Sequence, residues 1–339
     1  MENFNNNINN NSKQNNYKVL DGLRIFFYVI IINILASIVY TLIVLLLSLF
    51  YKGGYKEFAS TPFAMYLGVI IIPITFFALF FIFNKINKIN VKNALAPTKR
   101  FNAWSIAIVF GLCVAIAGFM PLINMLLSAL NVGDSAVFPM NNWFTIILGL
   151  IGYALLPAVA EELLFRGIML KGFSRRGTAI TAVTITSLMF CLMHGGIQQT
   201  FYQVILGFVL GFVAYYTGNI LFSVILHFLN NVMVVVFELA GCYNSFLGGF
   251  KPTFGGYMAA IGIAVAAAGL IVLLIWALKK INNSGELQDI SFEGDTIIIE
   301  ENTKKMSISD FVMSFDFNEK FYFYSGVIVA LIIWLSNSI

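Results

Sequence analysis

The stretch IILGLIGYALLPAVAEELLFRG, residues 146–167, sets a long apolar run against two adjacent acids, Glu161 and Glu162, and a base, Arg166. A charge near the middle of a bilayer costs at least about 2.5 to 3.5 kcal/mol to insert, so such groups persist there for pairing or for chemistry. Whether this run is a soluble core helix or a membrane span is decided by the rest of the chain. Of its 339 residues 59% are hydrophobic and 11% charged, and the mean hydropathy is +0.86, outside the soluble range. Apolar runs recur at about 25–50, 63–83, 104–130, 143–160, 178–194, 201–216, 220–240, 257–278 and 322–335. Most are near the roughly 20 residues that cross a hydrocarbon core; those at 178–194 and 201–216 are short for it. The expected fold is all-α, a polytopic transmembrane helical bundle with an eight-helix core and a ninth, C-terminal span.

The expected organisation follows the polarity of the chain. Residues 1–17 form an Asn-rich cytoplasmic tail with almost nothing to bury, and the reading is disorder. Residues 18–280 form the helical bundle, with the helices of interest at about 143–240. The first run is far longer than a signal-peptide core and has no small-residue cleavage site behind it, so it reads as a retained anchor. Residues 281–320 are a polar cytoplasmic insert, where the turn-like Glu293-Gly294-Asp295 precedes the β-branched run Thr296 to Ile299 and suggests a small hairpin. Residues 321–339 hold the last span.

The net charge of +4 does not point to nucleic acid, because the basic residues punctuate the loops between spans. With the N-terminus inside, 17 of the 20 Lys and Arg residues are cytoplasmic, and only Lys52, Lys56 and Lys251 fall outside. Cys113, Cys191 and Cys242 are scattered and lack CxxC spacing, so neither a disulfide framework nor a zinc knuckle is indicated.

Three polar constellations sit inside the apolar helices. In the first, Glu162 and Arg166 stand at i and i+4 with the acid N-terminal, the favourable order for an ion pair. Glu161 points about 100° away and is left free to react. The second is FCLMH, with Phe190 and His194 one turn apart; the third is HFLNN, with His227 and Asn231 at the same spacing. These are the only two histidines in the chain, and imidazole suits proton transfer or metal ligation. Counting about 1.5 Å per residue from the cytoplasmic turns brings all three constellations to a common layer, about 10 to 15 Å deep. This requires the helix carrying Glu161 to continue to about residue 174, and Pro157 marks a kink one turn before the acids. Cys191 and His194 lie on one helix and are poorly placed to act as a thiol–imidazole dyad. The pair Gly207 and Gly211, in GFVLG, reads as a close helix contact.

Taken together, E-E-x-x-x-R at Glu161–Arg166, F-x-x-x-H at Phe190–His194 and H-x-x-x-N at His227–Asn231 resemble the pattern of the CPBP (CAAX protease and bacteriocin-processing) intramembrane endopeptidases. That family includes the CAAX prenyl endopeptidases. All three motifs match in order and spacing, over about residues 140–240; the polar insert and the ninth span depart from the simplest eight-helix layout.

The resemblance implies peptide-bond hydrolysis, which needs a base for water, stabilisation of an oxyanion and a proton for the leaving amine. It implies Glu161 as general base, His194 holding and polarising the water, and His227 and Asn231 stabilising the oxyanion. Glu162, Arg166 and Phe190 would be structural support. No cofactor is favoured, although zinc could be held by Glu161, His194 and His227, a donor set that several soluble metalloproteases use. The expected partners are the lipid bilayer and a membrane-associated peptide or protein substrate, not nucleic acid; oligomeric state is not readable. A composition rich in Lys, Asn and Ile points to a bacterial plasma membrane, where peptide maturation is a better expectation than CAAX processing. Two rivals stand beside this reading. One is a non-catalytic bacteriocin immunity or peptide-binding protein using the same cluster. The other is a proton-coupled transporter, which would more typically show inverted repeats.

Overall fold

The computed structural model describes residues 17–99, 101–130, 132, 142–239, 253–282, 289–293, 296–300 and 305–338. The Asn-rich tail before residue 17, Arg100, Cys242, Lys251 and Lys304 lie outside these residues, and nothing structural is added to what was expected of them.

The fold is a helical bundle. In chain order the long helices are α1 (Val19–Ser48), α2 (Pro62–Ile86), α3 (Trp104–Ala129), α4 (Trp143–Ser174), α5 (Ala179–Met193), α6 (Ile197–Thr217), α7 (Ile220–Leu239), α8 (Phe254–Ile281) and α9 (Phe317–Ser338). All but α5 are long and apolar enough to cross a membrane. Of the two short runs, the one at 201–216 extends to 21 helical residues, while α5 stays at 15 and ends at His194. A 15-residue helix rises about 22 Å, less than the roughly 30 Å of the hydrocarbon core. Helix α3 is interrupted near Gly118, between Trp104–Ala117 and Met120–Ala129. In the insert, Asp289–Glu293 (β1) and Thr296–Glu300 (β2) pair antiparallel, with Asp289 opposite Glu300 and Glu293 opposite Thr296.

The outward faces are apolar, as a lipid-facing surface requires: Leu46, Phe81, Val114, Val272 and Ile332 are all exposed. The interior is closed by small residues as well as large ones. A methyl group on Gly207 would meet Ser187 of α5 at 3.2 Å, and one on Gly211 would meet Val183 at 2.8 Å. The two glycines therefore let α5 and α6 run in close contact, as GFVLG suggests. Cys113 and Cys191 are free thiols, both buried.

Candidate active site

Helix α4 carries both acids and is not a regular α-helix. It starts at a capping box, in which Asn142 accepts from the Thr145 N–H at 3.0 Å. Wide π-helical turns at Leu150–Leu155 and Leu163–Leu170 flank the α-helical segment Leu156–Glu162. Pro157 has no N–H to give to the carbonyl four residues back, that of Tyr153. That carbonyl instead accepts from Asn231 Nδ2 of α7 at 3.3 Å. The proline thus does more than bend the helix: it leaves a backbone acceptor on which a motif residue of another helix is anchored. Beyond the acids the helix continues to Ser174, as the count of residues from the Arg175 turn requires.

Glu162 and Arg166 form the ion pair that their spacing suggests, with Nη1 to Oε1 at 2.7 Å and both side chains fully buried. The guanidinium is used twice, since Nη2 donates to the Gly207 carbonyl of α6 at 3.0 Å. Its Cζ also lies 4.6 Å from the centre of the Phe190 ring, a desolvated cation–π contact. Glu162 is used twice as well: the same Oε1 lies 3.1 Å from His227 Nδ1. Ser223 is fully buried one turn before His227, and its hydroxyl donates to the Ile220 carbonyl at 2.9 Å.

Glu161 takes a different path. Its Oε2 lies 3.9 Å from His194 Nε2 and 3.9 Å from His227 Nε2, and no protein group in the described residues bonds to this atom. The two imidazoles reach it from separate helices, and each is oriented through its other nitrogen. His194 Nδ1 is 2.9 Å from the Phe190 carbonyl, one turn back. A carbonyl and a carboxylate accept only, so Nδ1 carries the proton on both rings, and both Nε2 atoms face Glu161. Phe190 packs edge-on against both: its ring centre is 4.7 Å from that of His194 and 5.9 Å from that of His227. The FxxxH spacing therefore supplies both a carbonyl and a ring to the site.

The structure brings Glu161, Glu162, Arg166, Phe190, His194 and His227 into one cluster, with Asn231 one turn further along α7. Two residues around the cluster are not among the site residues the sequence points to. The Gly207 carbonyl has no signal, because any residue has one. The other is Asn230, buried and bonded to the Tyr202 hydroxyl beside the motif residue Asn231. Cys191 gives its thiol to the Thr200 carbonyl, turned away from any dyad with His194.

The donor chemistry of two imidazoles and a carboxylate suits zinc, yet the spacing is wider than a ligand set. Among the described residues no group of three or more His, Cys, Asp or Glu side chains is arranged to hold a metal ion.

Residues 142–233 match the family described as type II CAAX prenyl endopeptidase Rce1-like. The likeness is confined to the site helices, α4 to α7. The matched stretch runs from the cap of α4 to just past Asn231 and contains every residue of the cluster. No curated protein and no solved structure matches the chain. Similarity to that family over the site helices supports intramembrane endopeptidase activity in general terms, with the bilayer and a membrane-associated peptide as its setting. The eight long apolar helices fit an integral membrane protein of that kind.

Proposed function

We propose that this protein is a glutamate-dependent intramembrane endopeptidase, in which Glu161 and His194 activate a water against a peptide carbonyl. The observation that carries the reading is the convergence of both Nε2 atoms on one carboxylate oxygen of Glu161, each at 3.9 Å. A water oxygen between Glu161 Oε2 and either imidazole is within hydrogen-bond reach of both partners. The bare Nε2 of His194 and the carboxylate of Glu161 are both acceptors, so together they hold the two hydrogens of one water and aim its lone pair.

As the water attacks, its proton passes to Glu161. From there it can move to Nε2 of His227, whose Nδ1–H is already held by Glu162. The protonated imidazole and the second N–H of Asn231 then face the oxyanion, and the same proton is available to the departing amine when the C–N bond breaks. Donors aimed at where charge develops act strongly in a site closed to bulk water. No step above needs a metal, and the spacing of Glu161, His194 and His227 does not favour one.

The loop charges support a cytoplasmic N-terminus, and the Lys-, Asn- and Ile-rich composition supports a bacterial plasma membrane. The substrate is a membrane-associated peptide, and the relatives' description makes a peptide ending in a prenylated cysteine and three further residues one probe to use. An unprenylated apolar peptide is the other. The deciding experiment is cleavage of both quenched fluorescent peptides in detergent by wild type, Glu161→Ala and His194→Ala, with and without a chelator. Cleavage by wild type alone, insensitive to chelator, is expected. Cleavage that survives both substitutions sinks the assignment, chelator sensitivity moves it to a metallopeptidase, and loss of neither binding nor expression without any cleavage points to an immunity or peptide-binding protein.

A further inference from the structure

The His194 helix is fastened at both ends by one stretch of chain, residues 305–338, outside the segment that matches the family. At the turn before α5, Arg176 makes a two-pronged ion pair with Glu319 at 2.9 and 3.0 Å. Lys305 Nζ reaches the last carbonyls of α4, Ser174 at 2.9 Å and Arg175 at 3.1 Å. The Met306 carbonyl accepts from the Thr178 N–H at 3.1 Å and from the Thr181 hydroxyl at 2.9 Å.

At the other end the problem is sharper. Because α5 stops short of a full crossing, the turn His194-Gly195-Gly196 exposes backbone polar groups at membrane depth, where each needs a partner. Helix α9 provides them. Asn337 Nδ2 donates to the Gly195 carbonyl at 2.6 Å, and the Ile197 N–H donates to the Ser338 hydroxyl at 3.1 Å. Trp334 Nε1 donates to the Thr200 hydroxyl at 2.7 Å. Gly195 adopts φ +55°, and a methyl group there would press on Asn337 and Ile333 at 3.3 Å.

The same face of α9 borders a cavity of about 690 Å³ that contains Glu161 and His194. Ile333 and Asn337 form one side, and Asn33, Ser37 and Thr41, one turn apart on α1, form part of the other. Among the described residues Glu161 is the only acid in its lining, and none of them there is a lysine or arginine. Its volume is that of an ordinary ligand pocket, enough for a few residues of peptide.

From this we infer that α9 is part of the active site: Asn337 is a positioning residue for His194, and the Ile333–Asn337 face, opposite Asn33, Ser37 and Thr41, is the wall that receives an uncharged, extended segment of the substrate peptide. The inference rests on the proteolytic reading for the word substrate, but the clamp and the wall are physical claims that can fail separately from it.

Two measurements on the full chain in detergent test it. The first is hydrogen exchange of the amides at 195–200. Asn337→Leu keeps the size of the side chain and removes its donor, so exchange there rises about tenfold, the equivalent of one lost hydrogen bond, while the α4 amides do not change. Ile332→Ala, on the exposed side of α9, leaves both unchanged. Unaltered protection in Asn337→Leu overturns the clamp, whether or not the protein cleaves anything.

The second is binding, read by fluorescence anisotropy in a Glu161→Gln background so that no turnover intervenes. The probes are three apolar peptides that carry Ser, Glu or Lys beside the intended scissile bond. With Asn337 present, the neutral probe binds best; Asn337→Lys shifts the preference toward the Glu probe and away from the Lys probe, each by about tenfold or more. A substitution that only loosens the fold weakens all three alike. An unchanged order of preference, or a uniform loss, overturns the wall.

Discussion

His227 and Glu162 are joined through Nδ1 and Oε1 at 3.1 Å, which makes Glu162 the orienter of an imidazole as well as the partner of Arg166. The two adjacent glutamates therefore divide the work, and conservative substitutions should separate them. Glu161→Gln keeps volume and removes the base, with no ion pair broken; it should abolish cleavage and leave the melting temperature in detergent unchanged. Glu162→Gln strands a fully buried guanidinium and releases His227. Breaking one side of a buried pair costs about 3 to 5 kcal/mol, so this variant should lose stability as well as activity. Equal melting temperatures for the two variants would refute the division.

Arg166 illustrates why a lysine cannot replace an arginine at a forked site. Its two terminal nitrogens serve Glu162 and the Gly207 carbonyl at once, and its plane lies over Phe190. A lysine ammonium can approach one of these partners but cannot span all three in one geometry. Arg166→Lys should retain the charge, lose about 1 to 3 kcal/mol through the unmade charged hydrogen bond, and reduce kcat more than KM. Wild-type stability and turnover in this variant would show that charge alone is needed there.

Pro157 offers a case in which stability and activity should move in opposite directions. Pro157→Ala restores an N–H that can bond to the Tyr153 carbonyl, the acceptor now held by Asn231 at 3.3 Å. Removing a proline from a helix interior relieves up to about 3 kcal/mol of local cost where the helix can straighten. The variant should melt at a higher temperature, yet cleave more slowly, because Asn231 loses its anchor. A variant that is both more stable and fully active would mean that Asn231 is positioned by something else.

Much of this arrangement was legible because it is periodic. Glu162 and Arg166, Phe190 and His194, and His227 and Asn231 each repeat at one helical turn, and the apolar runs announce most of the helices that carry them. What the sequence concealed is of two kinds. Contacts made by backbone atoms, such as the Gly207, Phe190 and Tyr153 carbonyls, have no residue type to betray them. Contacts between distant segments, such as Asn337 with Gly195, depend on a turn whose left-handed glycine looks like an ordinary Gly-Gly pair until the helix before it is seen to stop short. The π-helical turns of α4 were hidden for a further reason: an i to i+4 count survives them over the four residues from Glu162 to Arg166, so the error in periodicity accumulates only beyond the motif.

Phe190 is where the ionic and the catalytic halves of the cluster meet, and its ring can be tested apart from its backbone. The Phe190 carbonyl that orients His194 remains in any substitution, whereas Phe190→Leu removes the face beneath Arg166 and the ring contacts to both imidazoles. The ring is fully buried and also stands edge-on to Phe165, with centres 5.1 Å apart. A desolvated cation–π contact is worth about 2 kcal/mol, and an aromatic pair adds about 0.5 to 1.5 kcal/mol beyond its area. Phe190→Leu should therefore lower stability by about 2.5 to 3.5 kcal/mol. The share owed to the guanidinium can be isolated by a double-mutant cycle with Arg166→Met. If the ring holds the cation, the cycle closes with a coupling of about 2 kcal/mol, since the second substitution has nothing left to lose at that contact. Additive effects would mean that Phe190 acts by filling volume alone, and the ring could then be replaced by any apolar side chain of similar size without disturbing the Glu162–Arg166 pair.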